Sequence, residues 1–108
     1  CSCGINIASV VDVESVTEYA KTLPCVVFAQ NNLFTCSQDT IGQMEETIRR
    51  EGLNRVVVAS CTPRTHEPLF QETLRNAGIN KYLFEMANIR DQDSWVHQKE
   101  PEAATRKA

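Results

Sequence analysis

Apolar residues recur along this chain at two periods, and the switching between them predicts alternating helices and strands. Val13, Val16, Ala20 and Leu23 repeat at helical spacing, with Asp12 placed to cap and Pro24 to stop a helix over residues 12–23. Cys25 to Ala29 is a short apolar run rich in strand-forming residues and reads as a buried strand. Asn31 and Asn32 open a polar loop that reaches Cys36. Ser37 caps a second helix with Ile41, Met44 and Ile48 on its inner face, and Gly52 suits the left-handed residue that follows it. Arg55 to Ser60 contains Val-Val-Val-Ala and is the clearest strand, expected to be central with Val57 buried. Thr62 or Thr65 caps a third helix that starts on Pro63 and turns Leu69, Phe70, Thr73, Leu74 and Ala77 inward, before Gly78 stops it. Tyr82 to Ala87 reads as another strand, and Trp95 as the anchor of a final helix or loop.

Helix and strand therefore alternate, and a further strand is expected before Cys1. This order predicts a small α/β fold: a four-stranded parallel sheet in Rossmann-like or flavodoxin-like layering, with helices on both faces. The 108 residues suffice for one domain, residues 1–108. The chain starts on Cys1 without Met, and its tail, Pro101 to Ala108, holds no stop signal, so it reads as a fragment of a longer multidomain protein.

Composition narrows the function. Apolar residues at 42% and charged residues at 23% describe a globular protein, not a disordered one. A net charge of -3 without any basic stripe gives no case for nucleic acid. The apolar runs are too short to span a membrane, and no secretory leader is visible. Five cysteines are an odd number and too few for a disulfide-built scaffold. They point to a reducing compartment, with thiols free for metal or redox chemistry or for simple packing.

Placement separates the thiols. Cys1 and Cys3 fall where the first strand should end, Cys36 follows the second strand, and Cys61 directly follows the third. The carboxyl ends of parallel strands form the ligand-binding edge of such sheets. Cys36 and Cys61 also precede helix caps, where unpaired N–H groups favour thiolates. Arg64 and Arg90 are candidate sources of positive charge. Cys25, at the start of a strand, is assigned to packing. Four thiols suit an iron–sulfur cluster, and zinc would accept the same set, with His66 as an optional further ligand. Cys-x-Cys is not a usual metal spacing, and a turn at Gly4 is the expected device for aiming both side chains inward. His97, Asp91 and Asp93 are read as packing or solvated groups, and Glu45-Glu46 with Arg49-Arg50 as a solvated helix face. No Gly-x-Gly-x-x-Gly occurs, so no dinucleotide or flavin fingerprint is present.

These residues resemble a known family. Cys1-Ser2-Cys3-Gly4-Ile5-Asn6-Ile7, Val11-Asp12-Val13-Glu14 and Phe34-Thr35-Cys36-Ser37 are similar to the start of the A-type subunit of heterodisulfide reductase. The likeness is strongest from Leu53 through Ser60-Cys61-Thr62-Pro63-Arg64-Thr65-His66-Glu67-Pro68, and continues through Tyr82 to Arg90 and Ser94-Trp95-Val96-His97. The resemblance implies a cytoplasmic protein that carries FAD and [4Fe-4S] clusters beyond this segment and works with other heterodisulfide reductase-type subunits and electron-transfer proteins. It also implies an electron-transfer role for this segment; together with the placement above, a [4Fe-4S] cluster is expected at Cys1, Cys3, Cys36 and Cys61, and the missing glycine loop leaves no flavin expected here. The chain departs from the family pattern at Asp93, where many members carry Cys. That leaves three alternatives open: an oxygen ligand from Asp93, ligation by both Cys1 and Cys3, or a labile or absent cluster. A docking domain without redox chemistry, with or without a structural zinc, is the competing function.

Overall fold

The computed structural model describes residues 1–108. Its elements are α1 (Val13–Ala20), α2 (Gln38–Glu51), β1 (Val56–Ser60), α3 (Pro63–Asn76), β2 (Phe84–Asn88) and α4 (Pro101–Lys107). Two π-helical turns, Gly4–Ala8 and Arg90–Ser94, complete it. The helix starts follow from local chemistry. The Asp12 carboxylate accepts the Ser15 N–H, the Ser37 hydroxyl that of Thr40, and the Thr62 hydroxyl that of Arg64. Thr62, not Thr65, is thus the third cap, with Pro63 in the first turn. Gly52 takes the left-handed backbone at φ 63°, ending α2 as expected.

The sheet is smaller than the sequence pattern predicts. It has two parallel strands, β1 and β2, in register from Val56 opposite Phe84 to Ser60 opposite Asn88, and not four. The predicted strand at Cys25–Ala29 does not form. Thr22 to Cys25 turns the chain, Cys25 sits at φ 67°, and the following run has no ladder partner. An extended run becomes a strand only when a neighbour takes up its backbone groups. Val27, at 71% exposure, is left facing solvent. Cys25 is likewise exposed, which corrects its assignment to packing.

Alternation along β1 divides the core in two. Val58 joins Phe70 and Met86 on one face, backed by Ile41 and Met44 of α2. Ala59, on the other face, packs against Ile7, Val11, Val13, Ile89 and Ala104. Val57 shares the face of Ala59 but lies beyond that cluster at 67% exposure, so the expectation of a buried Val57 is also corrected. Helix α1 is shorter than expected and leaves Leu23 outside it and exposed. Trp95 is exposed as well, with the Arg90 guanidinium 4.5 Å above its ring. No helix is long and apolar enough to cross a membrane.

Candidate thiol site at the carboxyl edge of the sheet

Three separate stretches of chain bring their cysteines to one place. Cys61 leaves the end of β1 and precedes the Thr62 cap of α3. Cys36 precedes the Ser37 cap of α2 and packs with Cys61 against the Val58–Phe70–Met86 cluster. Cys3 packs against the opposite cluster, just before the first π-turn. The backbone nitrogen of Cys1 donates to the Ala59 carbonyl at 2.9 Å, which places Cys1 beside the end of β1.

Residues 1–3 are held from both sides. The Ser2 N–H donates to the Asn32 carbonyl at 2.8 Å, and the Ser2 hydroxyl donates to the Asn31 side-chain oxygen. The Cys3 carbonyl accepts from the N–H groups of Ile7 and Ala8. In extended chain, residues two apart share a face, so Cys1 and Cys3 come side by side without waiting on a turn at Gly4. Their sulfurs are 3.7 Å apart, and the Cys1 thiol also points at the Leu33 carbonyl, again at 3.7 Å. Asn31 and Asn32 were legible only as a polar loop; their clamp on Ser2 depends on a fold that the sequence does not spell out.

Charge interactions show how these groups face one another. Burial pushes the Cys3 thiol above its ordinary value, and the neighbouring thiolates of Cys36 and Cys61 push it further, while Arg90 pulls it back. Of the two arginines named as sources of positive charge, Arg90 acts on Cys3, whereas Arg64 is exposed and is not among the charges acting on that thiol. Arg90 is held by the ring of Trp95 and by Asp91, whose carboxylate is 2.8 Å from the guanidinium. Cys25 belongs to a separate, exposed turn.

Asp93 lies elsewhere. It is 2% exposed, and neither carboxylate oxygen has a hydrogen-bond partner. Burial raises its carboxyl, and the opposing charges are Lys107 and His97 rather than any group of the thiol site. It lines a cavity of about 390 Å³ with Asn88, Gln92 and Lys107. His66 sits half-buried in α3.

The donor set is four free thiols, from Cys1, Cys3, Cys36 and Cys61. No three His, Cys, Asp or Glu side chains are placed to close on a single metal ion. A tetrahedral zinc with Zn–S near 2.3 Å needs all its sulfurs about 3.8 Å apart, a spacing that Cys1 and Cys3 alone are shown to meet. A multi-iron cluster spreads its thiolates over several metals and asks for less convergence.

Comparison with known proteins gives this edge a context. No protein-family profile matches the chain. Over all 108 residues it is 54% identical to a heterodisulfide reductase A-like protein of Archaeoglobus profundus. It is 52% identical to the A-type subunit of the H(2):CoB-CoM heterodisulfide,ferredoxin reductase of Methanothermobacter marburgensis. Along its whole length the chain is similar to one segment of heterodisulfide reductase A proteins. The A-type subunit of the ferredoxin:CoB-CoM heterodisulfide reductase of Methanosarcina mazei is 44% identical over the same 108 residues. The chain spans 16%, 15% and 14% of the Methanothermobacter, Archaeoglobus and Methanosarcina proteins respectively. The likeness to heterodisulfide reductase A read from the sequence thus extends along the whole chain.

Proposed function

We propose that this segment carries electrons within a heterodisulfide reductase A-type oxidoreductase, using a [4Fe-4S] cluster held by Cys1, Cys3, Cys36 and Cys61. The observation that carries this reading is the gathering of thiols from three chain segments at the carboxyl edge of the sheet, with Cys3 facing both Cys36 and Cys61. When bound, the cluster would supply reversible one-electron chemistry. The chain's own part is to hold the sulfurs. Asn31 and Asn32 fix Ser2 between the first two, and the caps of α2 and α3 present N–H groups behind Cys36 and Cys61. Arg90 adds a fixed positive charge beside Cys3, which favours the more reduced, more negative state.

Asp93 is not one of the holders in this reading, because the charges it faces are Lys107 and His97. The parent protein would supply FAD elsewhere and would meet electron-transfer partners in the cytoplasm. A docking role is favoured by a separate observation: Ile5, Val27 and Leu33 are all well exposed near the same end of the chain.

Anaerobic reconstitution with iron and sulfide tests the proposal. The expected product is brown, with iron and acid-labile sulfide in equal amounts. Cys3→Ser, Cys36→Ser and Cys61→Ser should each lower iron content severalfold, while Cys25→Ser and Asp93→Ala should not. A colourless product, or iron retained in all three Ser variants, sinks the cluster and leaves the docking role.

A further inference from the structure

We propose that Cys1 and Cys3 form a thiol–disulfide exchange site, which reacts with a small-molecule disulfide and closes into an intramolecular disulfide across Ser2. The two sulfurs are already in contact at 3.7 Å and need to approach to about 2.0 Å. Extended backbone places Cα atoms two residues apart at about 6.6 Å, inside the range that disulfides span. The backbone around them is fixed. The Cys1 backbone nitrogen bonds to Ala59, Ser2 to Asn31 and Asn32, and the Cys3 carbonyl receives Ile7 and Ala8. Bond formation then calls for side-chain rotation alone. Neither thiol is fully buried, and the Cys1 sulfur lies at an exposed edge against the Leu33 carbonyl.

The reaction balances without any further oxidant. The Cys1 thiolate attacks the disulfide R–S–S–R, forming a mixed disulfide and releasing one thiolate. Cys3, on losing its proton, attacks the Cys1 sulfur and releases the second. The protein gives up two electrons and two protons, and two RSH are formed. The bond lies at a partly exposed edge within reach of reducing thiols, which places it with labile rather than structural disulfides. Resting on the cluster reading above, the consequence is regulatory. The oxidised pair withdraws two of the four thiols, so the oxidised chain does not load a cluster and a loaded chain is protected from the disulfide.

The apo chain, reduced and then incubated anaerobically with oxidised glutathione, decides the matter. After alkylation, peptide mapping should find Cys1 and Cys3 joined with the loss of two hydrogens, and Cys36 and Cys61 alkylated. Cys1→Ser and Cys3→Ser should each leave a lasting glutathione adduct on the remaining thiol. Adducts confined to Cys25, a bond between Cys36 and Cys61, or free Cys1 and Cys3 at full oxidant excess would each overturn the site. Oxidised and reduced chains are then offered iron and sulfide. The oxidised form should take up at least tenfold less. A disulfide with no cluster in either state leaves the exchange site standing and removes the cluster reading; a cluster with no disulfide does the reverse.

Discussion

Two apolar runs in this chain, Cys25–Ala29 and Val56–Ser60, have nearly the same composition and opposite fates. The second is flanked by a helix that returns the chain to Phe84–Asn88, and a parallel ladder forms between them. The first follows a turn and lies outside the sheet. The difference teaches that strand character in a short run is conferred by its neighbour. β-propensity describes fitness for a pleated, half-buried surface, and without that surface it decides nothing.

The comparison breaks most visibly under an introduced charge. Val58→Asp places a carboxylate at a position 4% exposed and should cost more than about 4 kcal/mol, enough to abolish cooperative unfolding. Val27→Asp, in the unpaired run, should change stability by less than about 0.5 kcal/mol, and Val57→Asp by little more. Urea titration of the three side by side is the test; equal losses at Val27 and Val58 would mean that the two runs are equally buried.

A smaller loss is expected from Phe70→Ala. Phe70 is 1% exposed and stacks on Phe84 with ring centres 5.7 Å apart. Its removal should cost about 3–4 kcal/mol in thermal or urea unfolding, through lost burial and the cavity left beneath β2.

Asp93 offers an effect of opposite sign. Its carboxyl is raised by burial, so the folded chain holds this proton at pH values where the unfolded chain has released it. Stability from this group is therefore highest below the unfolded value, near pH 4, and falls as pH rises through the folded value. Asp93→Asn should gain about 1 kcal/mol at neutral pH, by removing a buried charge whose oxygens lack partners, and the gain should shrink toward pH 4. A variant less stable than the parent at neutral pH would show that the carboxylate has found a partner. The smallest perturbation is chemical labelling. Cys25, on its exposed turn, should alkylate in the folded chain without any change in unfolding midpoint, and ahead of half-buried Cys3. This reverses the order expected for a Cys25 packed in a strand.

Local signals were the legible ones. Asp12, Ser37, Thr62 and Gly52 mark helix ends because each acts on backbone groups within a few residues, and the structure keeps all four. Phe70 and Leu74 were legible as core because period and burial agree there, whereas in β1 the sequence pointed to Val57 and the buried residue is Val58. Sheet size was not legible, since pairing is non-local and a run such as Val26-Val27-Phe28 carries no record of whether a partner exists. The same limit hid the Asn31–Asn32 clamp on Ser2. Of the thiols only Cys61 follows a strand; no strand precedes Cys3 or Cys36, so the strand-edge argument from the sequence accounts for Cys61 alone.

The buried hydroxyl of Ser94 has a consequence for how the thiol edge behaves when its charge changes. It donates toward the carbonyls of Asn6 and Arg90, pinning the first π-turn to the second. Cys3 stands just before one turn, and Arg90 opens the other. Sulfur and guanidinium therefore sit on two turns joined through their backbones, with the guanidinium held by Trp95 and Asp91. For a segment that carries electrons as proposed, a positive charge already in place asks for little rearrangement of its surroundings when an electron arrives or leaves, which keeps the barrier to transfer low.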